Sequence, residues 1–145
     1  MCLMLYLASD QPLPLVEDAE SKSAFSLTNL HDAEVRVRGQ FSESNVYAAG
    51  AHEGCGCGFQ LGQYPGQSDS ERMQNARSLA LLADYLDEQL ATGAKISLFA
   101  CWDGDQDCPA EGTRVVSTKE FRGKVFFFAE KQLVLVDGSG GADVG

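Results

Sequence analysis

The sequence reads as a single α/β domain, a mixed sheet containing a β-α-β crossover and backed by one long amphipathic helix over residues 69–92. Three observations predict it. Apolar runs of strand length stand at 2–8, 45–51 and 95–102, and segment 69–92 carries apolar side chains at three- and four-residue spacing. That segment lies between the second and third runs, and no linker is long enough to separate one domain from another. Residues 1–137 are therefore expected to form one globular domain, and 138–145 (GSGGADVG) a flexible glycine-rich tail.

The run 2–8 (CLMLYLA) predicts a buried first strand. Pro12 and Pro14 make 11–16 an extended connection, because proline has no amide proton and restricts the residue before it. A second, short strand follows at 25–27. Asp32 can cap a short helix running to about Phe41, and the alternation of Val35 and Val37 with Arg36 and Arg38 offers a strand as the alternative. Residues 45–51 (NVYAAGA) form the next strand.

In the long helix Met73, Ala76, Ala80, Ala83, Leu86 and Leu90 share one face, widened by Leu79, Leu82 and Tyr85. Ser68 and Glu71 have capping-box spacing, and Gly93 can turn left-handed at the far end. The strand 95–102 (KISLFACW) comes next. After an acidic loop, 124–128 (KVFFF) and 132–136 (QLVLV) read as two strands joined by a tight turn at 129–131.

Eleven basic against 21 acidic side chains give a formal charge of −10, which disfavours a phosphate-backbone binder and an anionic membrane surface. No nucleic acid and no membrane partner is expected; a protein partner or a homo-oligomer is compatible. The run 2–8 is too short to span a bilayer and lacks a basic region before it, so the expected location is the cytoplasm. Five cysteines, an odd number, then suit thiols or metal ligands better than a disulfide framework.

A β-α-β crossover makes strands 45–51 and 95–102 parallel, so their C-terminal ends share one edge of the sheet, where open α/β sheets bind ligands. Two unusual stretches follow those ends: 52–59 (HEGCGCGF) and 103–112 (DGDQDCPAEG). In extended chain Cys55, Cys57 and Phe59 line one side, while Gly54, Gly56 and Gly58 leave the other bare. His52 adds a nitrogen ligand, and a fourth ligand from Cys101, Cys108 or Cys2 would suit zinc, copper or iron. Thiol redox chemistry at the same residues is the second reading, with Glu53 as the nearest proton acceptor. Packing is the third: Cys55 and Cys57 as small buried hydrophobes of an interaction protein, and Cys101 as a core residue of ISLFACW.

The opening MCLMLYLASD together with NVYAAGAHEGCGCGF resembles a group of small uncharacterised bacterial proteins that share these two motifs. The likeness covers about the first 60 residues and implies a cytoplasmic bacterial protein with no activity attached. The start MC-x-x-LYLA also resembles glutamine amidotransferases, which implies Cys2 as an N-terminal nucleophile. The chain is short for that fold. Asp103, Asp105 and Asp107 begin like a calcium loop, but Cys108 stands where glycine is needed and Arg114 where a bidentate glutamate is needed. His31 reads as a surface residue.

Overall fold

The computed structural model describes residues 3–16, 24–52, 56–61, 67–123 and 125–137. Its centre is a six-stranded mixed sheet of β1 (Leu3–Ser9), β2 (Phe25–Asn29), β3 (Asn45–Ala51), β4 (Ile96–Trp102), β5 (Gly112–Ser117) and β6 (Gln132–Asp137). The strands lie in the order β2-β3-β1-β4-β6-β5. β1 pairs antiparallel with both β3 and β4, so β3 and β4 run in the same direction with β1 between them. Helix α1 (Asp69–Leu90) connects those two strands and packs on the sheet, which is the expected β-α-β crossover in split form.

The ends of α1 follow the local chemistry. Ser68 Oγ accepts the Glu71 N–H at 3.1 Å and Glu71 Oε1 accepts the Ser68 N–H at 2.9 Å, so two orphan amides are satisfied reciprocally. Beyond the helix, Gly93 adopts φ +95°, a conformation that favours glycine. The buried face is rotated from the one the apolar spacing predicts. Asn75, Ser78, Leu79, Leu82, Ala83, Tyr85, Leu86 and Gln89 are buried, whereas Met73 is 73% exposed. Polar groups can take the inner face because they find partners there: Asn75 Nδ2 donates to the Gln60 carbonyl at 2.6 Å.

Alternation along β1 builds two cores. Leu3, Leu5 and Leu7 point to the α1 side, where they meet Leu27, Leu82, Leu86, Leu98 and Val134. Tyr6 and Ala8 point to the other side, with Val46, Phe99 and Cys101. That second face is covered by a 3-10 helix, Asp32–Gln40, which buries Val37 and leaves Val35 exposed. The helix reading of this segment holds in tighter form, and its strand alternative does not occur.

The C-terminal region departs from expectation. Residues 125–128 lie outside the sheet; Phe126 exchanges backbone hydrogen bonds with Leu61 at 2.7 and 2.9 Å, and the Gln60 side chain pairs with both backbone groups of Phe128. Their rings pack against Phe121, with centroids 4.7 and 6.0 Å away. The expected hairpin partner of β6 is therefore replaced by β5, which runs parallel to it. β5 (GTRVVS) escapes an apolar-run search because only Val116 is buried. Among the described residues no helix is long and apolar enough to cross a membrane. Cys2, Glu53, Cys55 and the tail 138–145 lie outside the described residues.

Candidate functional site

His52 follows β3 directly, and the 3-10 turn Gly56–Phe59 brings the chain back across the end of the sheet. The turn depends on glycine for close approach. A Cβ on Gly58 would sit 2.6 Å from the Ala51 Cβ and 2.8 Å from His52 Nδ1, and one on Gly56 would sit 2.9 Å from the Leu3 carbonyl oxygen. His52 Nδ1 lies 3.3 Å from Ser78 Oγ, and the His52 N–H donates to the same hydroxyl at 3.2 Å. Cys57 is half-buried against the helix-side core, and its Sγ accepts the Leu3 N–H at 3.3 Å. The turn thus carries Cys57 and seats the His52 ring against its backbone.

Cys101 occupies the opposite face. It pairs in register with Met4 in β1 and belongs to the core formed by Tyr6 and Phe99, whereas Cys57 packs with Leu3 and Leu5. The sheet therefore separates these two thiols, so Cys57 and Cys101 do not meet in the single centre expected from His52, Cys55, Cys57, Cys101 and Cys108; Cys55 lies outside the described residues. The physical reason is strand parity: a residue's face depends on register, which an apolar run does not display. Burial pushes the Cys101 thiol up to about 12, with the charges of Asp105, Asp103 and Glu34 and the neighbouring Cys108 thiol adding to the shift. Such a thiol stays protonated and unreactive near neutrality. Cys108 sits half-buried on the acidic loop, and its carbonyl accepts from Gln40 Nε2 at 2.6 Å. Among the described residues, no three His, Cys, Asp or Glu side chains form a group that could hold a metal ion.

The acidic loop is laced to the protein by side chains the sequence did not single out. Tyr6 OH donates to Glu34 Oε2 at 2.7 Å and accepts from Gln106 Nε2 at 3.0 Å. Glu34 Oε1 accepts the His31 N–H, Gln106 Nε2 also reaches Asp103 Oδ1, and Gln106 Oε1 accepts the Gly104 N–H. Asp107 pairs with Arg36 at 3.2 Å. Asp107 thus holds the loop against the 3-10 helix and Asp103 braces it internally through Gln106, an arrangement different from a ring of calcium ligands. Glu34 and Gln106 are both buried, and burial pushes the Tyr6 hydroxyl pKa up. No local pattern marks Glu34 or Gln106, since polar residues in loops ordinarily face water.

The two edges of the sheet differ. Val16 closes β2 with a pair of backbone hydrogen bonds to Leu27 at 3.0 and 2.7 Å. β5 forms the other edge; its Val115 is 63% exposed and lies beside Leu135 of β6, itself 37% exposed. Arg114 projects to the α1 side, covering the Phe126 ring at 4.9 Å and approaching Glu120 at 3.8 Å. Comparison with protein-family models, with curated proteins and with solved structures yields no match to this chain.

Proposed function

We propose that the chain is a non-catalytic interaction protein that pairs with a second copy of itself through β5. The observation that carries this reading is the edge position of β5 together with the exposed Val115 and Leu135 on one face of it. Self-pairing is favoured by the strand's own sequence. An antiparallel pair centred on Val115 sets valine against valine and Thr113 against Ser117. Two copies at −10 each repel, so association should strengthen as salt rises.

Light scattering across about two decades of protein concentration tests it. The expected result is a monomer–dimer transition in the wild type and a monomer in Val115→Lys, which would set two ammonium groups opposite each other. Circular dichroism of the variant should stay native, because the side chain is exposed. A dimer that Val115→Lys leaves intact, or a wild type monomeric throughout, overturns the reading.

A cysteine-based metal or thiol redox site around His52, Cys55 and Cys57 is the second reading, favoured by the seating of His52 against the turn that carries Cys57. Zinc, copper or iron would suit imidazole and thiolate donors, with thiolates formed as the metal displaces protons. Anaerobic purification without chelators, elemental analysis and thiol counting test it. Stoichiometric metal lost in His52→Ala supports it; a metal-free protein with unreactive cysteines and a normally folded Cys55→Ser, Cys57→Ser variant rejects it.

A further inference from the structure

A groove of about 340 Å³ runs between α1 and the β2 edge of the sheet, and its lining lies on one face of that sheet. Leu81, Asp84, Tyr85 and Glu88 recur at three- and four-residue spacing and so form one stripe of the helix. Across from them stand Phe25 of the helix-side core and Val16, which is bridged to Leu27 and therefore shares its face. The Phe25 and Tyr85 rings, centroids 5.3 Å apart and inclined at 46°, make the floor with Val16 and Leu81. Tyr85 OH donates to the Pro14 carbonyl at 2.6 Å and so holds the chain before Val16 against the helix. The polar rim is acidic. Arg122 takes up Asp84 at 2.6 Å, whereas Glu88 has no ion-pair partner among the described residues. The last turn of α1 carries no basic side chain, so its carbonyl end adds uncompensated partial negative charge beyond Glu88.

We propose that this groove binds a small organic cation of the arylalkylamine class. The ammonium group meets Glu88 in the negative potential of the helix end, and the ring lies on Phe25, Tyr85, Leu81 and Val16. A flat ring suits a floor made of two inclined rings, and one unpaired carboxylate beside that floor selects a single positive charge. The volume is within the range of small-molecule clefts, in which an apolar lining with few polar groups is the usual pattern. The groove lies at the opposite edge of the sheet from β5 and shares no residue with the cysteine turn, so its test is independent of both other readings.

Isothermal titration with phenethylamine, 2-phenylethanol and ethylamine reads the proposal directly. Phenethylamine should saturate the wild type at millimolar concentration or below, while the alcohol, which lacks the charge, and ethylamine, which lacks the ring, bind at least about tenfold more weakly. Glu88 is exposed, so Glu88→Gln should keep a native circular dichroism spectrum, weaken phenethylamine by about tenfold and leave 2-phenylethanol unchanged. Leu81→Ala should weaken both ring compounds together. Absence of phenethylamine saturation, equal binding of the alcohol or of ethylamine, or unchanged phenethylamine affinity in either variant overturns it.

Discussion

Tyr6 shows how one side chain ties two distant segments to the sheet. Its hydroxyl joins buried Glu34 of the 3-10 helix to buried Gln106 of the acidic loop. Tyr6→Phe removes the shared partner from both and should cost about 1–3 kcal/mol, read as a lower urea midpoint with the slope unchanged. Cys101 makes a separate prediction with a definite sign. Its thiol is raised from 9.0 to about 12 in the folded protein, so above pH 9 the unfolded chain loses a proton that the native one retains. Stability from this group is complete below pH 9 and is lost as pH rises toward about 12. Tyr85, also raised to about 12 by burial, acts in the same direction from pH 10.0 upward. Urea midpoints measured from pH 8 upward should therefore fall, and fall less steeply in Cys101→Ala; equal slopes would show that Cys101 does not titrate as its burial requires.

Elements were readable where local pattern and tertiary role agree. The helix stood out because its spacing, capping box and terminal glycine concur, and Leu86→Asp, which buries a charge on its fully enclosed face, should destabilise by about 3–5 kcal/mol in denaturant titration. A loss of less than about 1 kcal/mol would contradict the packing of α1 on the sheet. The strands at 45–51 and 95–102 were legible as apolar runs, and their common direction followed from the crossover. Two elements were not legible. β5 has one buried side chain in six and offers no period, while the KVFFF run looks like a strand but places the Phe126 and Phe128 rings in a cluster with Phe121 and their backbone groups on Leu61 and Gln60. The candidate site divides the same way. The rare C-x-C with alternating glycine drew attention to Cys57 and His52, and the structure brings those two to one turn. The separation of Cys57 from Cys101 depended on the register between β1 and β4, which a continuous apolar run conceals.

At the scale of the whole molecule, the sheet separates two packed layers and leaves unequal edges. The β2 edge is closed by Val16, and the β5 edge carries an exposed valine with no proline within the strand. Cys101, fully enclosed, should react with a thiol reagent only at the rate of global unfolding, and fast labelling of Cys101 in native protein would show that the second core opens locally. The central claim is that β5 is the surface through which two copies meet. Hydrogen–deuterium exchange at low and high protein concentration tests it most directly. The account predicts that protection of the amides at 112–117 rises with concentration while those of β2 do not change, and that salt deepens the effect. Protection at 112–117 that is the same at every concentration, or that rises instead at another surface, would contradict it.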